Sequence, residues 1–413
     1  RLVGSEMCIR DRGIIGIEVK YDEYLEGING KILTLTDARG VEIKNAGERR
    51  SEPVEGDDLY LSLDYNIQMY AAQAAVKVRE EKQADSVSIL VMNPQNGEIL
   101  AMVNEPEFNL NEPFALNTEI DTELSEEEKQ NALNKMWRNQ CINDTYEPGS
   151  TFKIITLSSS IEEKTIDLFK DTFTDSGSIN VEGATLHCWK HGGHGTQTYL
   201  EVVENSCNPG FVSMGQKLGT QKLMSYIKSF GFGKKTGIDL NGESNGILFN
   251  INKMGPVETA TTAFGQGISV TPIQQITAVS AVVNGGNLYK PYIVKSLMNE
   301  SGALLDYNEK VLVKKVISKD TSSLVRFTLE SVVANGTGRN AYIENYRVGG
   351  KTGTAQKVVD GKYSSSSYIL SFVGFMPADN PKIVIYVAID GAKNVTQYGG
   401  TASAPVAKSI LTS

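Results

Sequence analysis

Ser150 and Lys153 stand three residues apart in the stretch Asp144-Thr-Tyr-Glu-Pro-Gly-Ser-Thr-Phe-Lys153. Pro148 and Gly149 make a turn, and the apolar run Phe152, Ile154, Ile155, Leu157 predicts a helix straight after it. Ser150 then occupies the helix start, where a serine oxygen can accept a free backbone N–H. A residue three positions on lies on the same helix face, so Lys153 is expected beside Ser150. The positive end of a helix favours negative charge on the serine and a neutral amine on the lysine. A serine beside a lysine that can lose its proton is an activated nucleophile. A second copy of the pattern, Ser225-Tyr-Ile-Lys228, lies inside a helical-looking run at 222–230 with no turn before it and reads as structural.

Two more short patterns follow. Glu204-Asn-Ser-Cys-Asn-Pro209 contains Ser206-x-Asn208, and Val348-Gly-Gly-Lys-Thr-Gly-Thr-Ala355 contains Lys351-Thr352-Gly353. Each has a decoy, Ser178-Ile-Asn180 and Lys235-Thr-Gly237. Ser178 lies in a stretch rich in Gly and Thr, whereas Ser206 has an apolar helical run behind it. Lys235 sits in a glycine loop, whereas Lys351 begins a strand that puts alternate side chains on one face. Gly349, Gly350 and Gly353 are expected to leave that strand bare for close approach by a ligand.

In this order the three patterns resemble the signature of penicillin-binding proteins and serine β-lactamases. The flanks at 146–153, 264–274 and 348–355 are similar to a class B penicillin-binding protein, a monofunctional peptidoglycan D,D-transpeptidase. The resemblance covers residues 57–413, and within the class it is to division and stage V sporulation transpeptidases of Gram-positive bacteria. It implies an α+β fold of the penicillin-binding-protein/serine β-lactamase type, an antiparallel sheet flanked by helices. Residues 13–56 would be the remnant of an N-terminal, dimerisation-type pedestal. It also implies residue roles. Ser150 attacks the carbonyl of a stem peptide ending in D-Ala-D-Ala, Lys153 takes its proton, and Ser206 relays a proton to the leaving amine. Asn208 holds Lys153 and a substrate amide, Lys351 faces the substrate carboxylate, and Thr352, Gly353 and Thr354 line the substrate. The backbone N–H groups of Ser150 and Thr354 form the oxyanion hole. Implied partners are stem peptides, β-lactams and a membrane glycosyltransferase, with no cofactor. The implied place is the extracytoplasmic face of the membrane, on an N-terminal anchor not contained in this sequence.

Other readings use the same residues. A class A β-lactamase needs a Glu with Asn four residues on, between the second and third patterns. None of Glu243, Glu258, Glu300, Glu309, Glu330 and Glu344 has one. A D,D-carboxypeptidase differs only in its acceptor, and a β-lactam sensor or catalytically silent scaffold would bind without turnover.

A formal net charge of −9 weighs against nucleic acid or an anionic membrane surface as partner. No run of apolar residues is long enough to span a bilayer. Residues 1–12 read as a non-native scar, and the native N-terminus is expected upstream. The three histidines, His187, His191 and His194, fall in one segment with Cys188, but no second ligand pair follows at zinc spacing, so no metal is expected. The domain's implied oxidising location makes Cys188 and Cys207 a candidate redox pair. The 18 residues between them suffice for a loop to return. The alternative is two buried thiols packing as small hydrophobes.

The elements that must position these residues are legible in outline. An alternating run predicts a strand at 59–63, and apolar runs predict strands at 87–92 and 99–103, joined as a hairpin through Asn93-Pro-Gln-Asn-Gly97. Three more strands are expected at 347–355, 368–375 and 383–389, with short links that make them antiparallel neighbours. Helical spacing is found at 65–82, 117–136, 200–219 and 404–413; the Gly- and Thr-rich stretch 171–198 reads as a long surface loop with short strands, and 230–237 as a loop. Thr271, Pro272 and Gln274 form a capping-box signature for a helix running to about 284.

Overall fold

The computed structural model describes residues 13–33, 39, 49–117, 124–359 and 362–413. The expected scar at 1–12 lies outside them. Two compact units divide the chain. The smaller takes in Arg1–Ser62, Asp239–Asn241 and Tyr292–Glu309, and the larger Leu63–Ile238, Gly242–Pro291 and Lys310–Ser413. Among the described residues no helix is long and apolar enough to cross a membrane.

In the smaller unit, Asp58–Leu61 pairs antiparallel with Val294–Met298, which pairs with Leu304–Tyr307. The Asp239 carboxylate accepts the N–H groups of Ile293 and Val294, each at 2.8 Å. The strand expected at 59–63 thus finds its partner far along the chain, a pairing that sequence alone does not indicate. No described residue between 13 and 56 is buried.

The larger unit is built, in chain order, from α1 (Tyr65–Lys82), β1 (Ser86–Met92), β2 (Ile99–Glu105), α2 (Lys153–Glu162), α3 (Asn208–Leu218), α4 (Pro272–Val283), α5 (Lys319–Asn335), β3 (Gly349–Val359), β4 (Lys362–Met376), β5 (Ile383–Asp390) and α6 (Gly399–Thr412), with shorter elements between. Asp64 caps α1 by accepting from the N–H groups of Asn66 and Ile67. The helix ends where Gln83 turns left-handed. The sheet order is β3-β4-β5-β1-β2, with every neighbour antiparallel. β1 and β5 are apolar and buried along nearly their whole length, as central strands covered on both faces must be. β2 alternates buried with half-buried residues, the mark of an edge.

Small residues bring helices close to this sheet. Ala71 and Ala75 of α1 and Ala402, Ala404 and Ala407 of α6 share one core with Ile89, Val91, Ile385 and Val387. Ala71, Ala75 and Val78 carry the burial on α1, while Ile67 and Ala74 are only partly buried. α4, buried at every position, packs on β1 and β5. Its Thr271–Gln274 capping box forms as the sequence predicts.

Two expectations change. The helical run at 200–219 is two helices, Tyr199–Glu204 and α3, broken at 205–207. The glycines of β3 do not leave the strand bare. A Cβ at Gly349 would lie 2.3 Å from Phe375 Cζ, and one at Gly350 would lie 2.4 Å from Phe372 Cζ. Rings on the neighbouring strand take that space, so these glycines serve packing. Phe372 also covers Gly374, where a Cβ would meet its ring at 2.5 Å. Replacing the fully buried Phe372 with Ala should cost about 3–5 kcal/mol in urea unfolding. A loss below about 1 kcal/mol would mean that the ring does not fill this seam.

Candidate active site

The nucleophile candidate sits at a helix entry, though not as a cap. Ser150 lies in a 3-10 turn, Gly149–Thr151, and α2 begins at Lys153 with no side chain capping it. The Ser150 hydroxyl is therefore not committed to a backbone N–H. Three residues per turn in a 3-10 segment brings positions three apart into line, which sets Ser150 and Lys153 on one side. The approach to the turn is fixed from both flanks. Tyr146 and Val270 exchange backbone hydrogen bonds at 3.0 and 2.9 Å, and Gly149 N–H donates to Gly265 O at 3.0 Å. Gly265 has φ +87°, and a Cβ there would lie 2.2 Å from Gly149 O, so only glycine allows this approach.

Lys153 is 1% exposed and Lys351 fully buried. Lys153 Nζ donates to Ser206 O at 2.8 Å, Ser206 Oγ at 3.2 Å and Asn208 Oδ1 at 2.6 Å. Lys351 Nζ donates to the same Ser206 Oγ at 2.8 Å and to Thr352 O at 3.2 Å. One hydroxyl thus accepts from two amines, using both its lone pairs and leaving its own proton free to donate elsewhere. The break in the helix makes this possible. Ser206 has φ +51°, a left-handed backbone that costs about 1–3 kcal/mol outside glycine and turns the motif out of the helical path. Pro209, at the first turn of α3, needs no helical partner for its missing N–H.

β3 brings Lys351 to the site. Gly353 lets the strand close on the serine turn, since a Cβ there would meet Ser371 Oγ at 2.4 Å and Thr151 Cγ2 at 3.0 Å. Thr354 Oγ1 accepts from Gly399 N–H at 3.1 Å, and Thr352 Oγ1 donates to Thr337 Oγ1 at 3.4 Å. The five residues expected to do chemistry, Ser150, Lys153, Ser206, Asn208 and Lys351, thus converge in one place. The decoys do not. Ser225 and Lys228 are exposed on the helix Thr220–Ser229. Ser178 and Asn180 belong to a hairpin strand, Ser178–Val181. The Lys235-Thr-Gly loop is held by the Glu243 carboxylate, which accepts from Thr236 N–H and Gly237 N–H.

Cys188 and Cys207 are both buried free thiols. The stretch 171–198, expected as a long surface loop with short strands, has short strands in two antiparallel pairs, with Asp175, Cys188 and Gln197 buried and most of the rest exposed or half-buried. Asp175 and His194 lie with the two thiols, their ligand atoms all within 4.8 Å of one another. Sequence reasoning missed Asp175 and gave His194 no role. The one available signal was that all three histidines fall between the two cysteines or directly beside Cys188.

An antiparallel sheet carrying Lys-Thr-Gly on its edge strand, with Ser-x-x-Lys at a helix entry and Ser-x-Asn at the break between two helices, defines the penicillin-binding transpeptidase class. Residues 87–412 match the transpeptidase domain of penicillin binding proteins, and the chain belongs to that family. It is 49% identical over 404 residues to stage V sporulation protein D of Bacillus subtilis, covering 98% of this chain and 60% of that protein. It is 30% identical to penicillin-binding protein PbpB of Mycobacterium tuberculosis, covering 96% of this chain and 58% of that protein. The crystal structure of penicillin binding protein 3 from Mycobacterium tuberculosis complexed with aztreonam is similar at a TM-score of 0.81 and 28% identity. That match covers 97% of this chain and 84% of the solved one. The chain thus spans about 60% of the length of these two relatives.

Burial pushes the Lys153 ammonium down from its ordinary 10.5 to about 7. Burial, and then the charge of Lys153, push Lys351 well below its ordinary range. A folded value below the unfolded one means that folding expels this proton between pH 7 and 10.5. The cost of burying the charge is full below pH 7 and disappears as pH rises toward 10.5. Over that window the wild type should gain on Lys153→Met by an amount on the order of a few kcal/mol, read from urea unfolding at both ends. A stability gap that does not change with pH would contradict the shift.

Proposed function

We propose that this chain is the catalytic part of a peptidoglycan D,D-transpeptidase working through a serine acyl-enzyme, and that β-lactams acylate it at the same serine. The observation that carries this reading is Ser206 Oγ held between Lys153 and Lys351 beside the Ser150 turn. Lys153, neutral above about pH 7, then keeps two N–H donors and a lone pair in place of its three donated bonds, and the lone pair takes the Ser150 proton as the serine oxygen bonds to the penultimate D-Ala carbonyl carbon. The C–N bond to the terminal D-Ala then breaks. The proton reaches the leaving amine through Ser206, whose own O–H is free to donate. Asn208, bonded to Lys153, orients it and can meet a substrate amide. Lys351, which burial and Lys153 hold toward its neutral form, is favoured as an ammonium once the substrate carboxylate lies beside it, with Thr352 and Thr354 as donors beside Gly353. The Ser150 and Thr354 N–H groups stabilise the oxyanion, a contribution of roughly 2.7–4 kcal/mol per donor in other enzymes. An amine from a second stem peptide attacks the ester and restores Ser150.

The family and the names of its relatives support the same activity. Several relatives carry the name peptidoglycan D,D-transpeptidase, and solved neighbours are complexes with aztreonam and ampicillin. Residues 13–56 belong in this reading to an N-terminal pedestal. The domain works on the extracytoplasmic face of the membrane, held by an upstream anchor and partnered by a membrane glycosyltransferase.

Labelled penicillin should attach to Ser150, and Ser150→Ala should abolish the label without disturbing the fold. Lys351→Ala should slow acylation on the order of 100-fold, while Lys235→Ala should leave it unchanged. Intact labelling of Ser150→Ala, or equal losses at the two lysines, would overturn the assignment. A stem-peptide donor with an amine acceptor then separates the activities. A cross-linked product supports transpeptidation, free D-Ala alone a carboxypeptidase, and acylation without turnover a sensor.

A further inference from the structure

Glu147 stands three residues before Ser150 and has no part in the chemistry proposed above. Its carboxylate nevertheless joins three segments around the nucleophile. Oε1 accepts the Gly267 N–H at 2.9 Å and the Tyr363 O–H at 3.1 Å, and Oε2 lies 3.2 Å from the same phenol oxygen. Gly267 has φ +76°, and a Cβ there would meet the Phe249 ring at 2.6 Å, so its N–H is aimed by a backbone that only glycine takes. The carboxylate is half-buried. Burial raises it above its ordinary range, while the Gly267 N–H and the Tyr363 hydroxyl draw it back down. Among the described residues no cation acts on it. An apolar side chain would cost less if the position only filled space.

What these bonds hold is the spacing between two elements. The oxyanion donors of the proposed reaction are the N–H groups of Ser150, on the serine turn, and Thr354, on β3, so neither element sets their separation by itself. The turn and the strand meet through bare positions. A Cβ at Gly149 would lie 3.2 Å from Thr354 O, and one at Gly353 would lie 3.4 Å from Pro148 O. Among the described residues no hydrogen bond runs directly between Gly149–Thr151 and β3. Contact alone leaves the two free to slide, whereas hydrogen bonds weaken steeply away from linearity and so fix a position. Glu147 supplies such bonds from both flanks. On one side the 265–267 loop grips the turn twice, with Gly265 O accepting from Gly149 N–H at 3.0 Å and Gly267 N–H donating to Glu147. On the other, Tyr363 pairs with Val358 in the β3–β4 hairpin, beyond Thr354. The pairing register shifts between Gln356 and Val358, and a shift of this kind bends a strand pair and re-aims its end. The Tyr363 phenol at that end reaches Glu147.

We infer that Glu147 is a positioning residue: by tying the β3–β4 hairpin and the 265–267 loop to the serine turn, it fixes the gap between the Ser150 and Thr354 N–H groups. It touches no reacting atom, and its role rests on the acyl-enzyme reading above. The oxyanion forms only as the serine oxygen bonds to the carbonyl carbon. The width of the gap therefore matters to the transition state and little to first binding. Loss of Glu147 slows the acylation step and leaves the affinity of the initial complex in place.

Stopped-flow acylation of the whole chain by a fluorescent penicillin separates the two quantities. Glu147→Ala should lower the limiting acylation rate on the order of 10–100-fold. The dissociation constant of the initial complex should stay within about 3-fold of the wild type. Glu147→Gln keeps a carbonyl oxygen for both donors and should recover most of the rate. Tyr363→Phe removes one hydroxyl from an exposed ring. It should slow the limiting rate in the wild type and add nothing in Glu147→Ala, because the two side chains act through one bond. A wild-type limiting rate in Glu147→Ala, a loss carried by the dissociation constant instead, or independent losses in the double variant would overturn the role. If Glu147→Ala fails to fold, Tyr363→Phe decides: a slower limiting rate supports the role and an unchanged one overturns it. A wild type that takes no label overturns the acyl-enzyme reading and this role with it. A labelled wild type matched in rate by its variants overturns this role alone.

Discussion

Two lysine side chains removed from water and pointed at one serine hydroxyl set the terms for everything around them. Burying an ammonium is costly unless it is paired or neutral, and neither Lys153 nor Lys351 has a carboxylate among its hydrogen-bond partners. Their partners are backbone carbonyls, one amide oxygen and Ser206 Oγ, all neutral. Like charges within reach of a single oxygen repel, so the pocket drives one amine toward its neutral form and keeps the site short of negative charge. A carboxylate is the kind of counter-ion such a pocket would favour. The fold must supply the rigidity to keep this unfavourable arrangement from relaxing.

That rigidity comes from elements of different kinds. Lys153 opens α2, which is buried from Lys153 to Ser160. Lys351 comes from β3, hydrogen-bonded to β4 along its length. Ser206 comes from neither, and depends on a left-handed residue between two helices. Such a position persists only when its surroundings over-determine it. Trp189 Nε1 donates to Asn205 O at 2.9 Å, Cys207 N–H to Val202 O at 3.0 Å, and Cys207 Sγ to Asp175 Oδ2 at 3.3 Å. The hairpins at 172–198 therefore act as a brace for the motif, which gives the buried Asp175–Cys188–His194–Cys207 group its place in the design.

The sequence by itself carried the nucleophile pattern, the two partner motifs and the antiparallel C-terminal strands. These are local. A turn before an apolar run, a glycine-rich strand and a capping box each involve neighbours within one or two turns of chain, and Thr271–Gln274 formed as its spacing demanded. Decoys could be set aside on the same local grounds, because Ser225 and Lys228 lie mid-helix and Lys235 lies in a loop.

Tertiary structure decided what depended on distant partners. It split the helical run at 200–219, because the stretch must present Ser206 to two lysines rather than continue a periodic face. It filled the space over Gly349 and Gly350 with Phe375 and Phe372 from the adjacent strand. It gave the strand Asp58–Leu61 its partner in Val294–Met298. And it gathered Asp175, Cys188, His194 and Cys207, which show no ligand spacing along the chain, because hairpin pairing and the start of α3 set their distances. Periodicity and capping report the chain's own backbone within a few residues. Side-chain convergence across separate elements is fixed only when the sheet and helices pack.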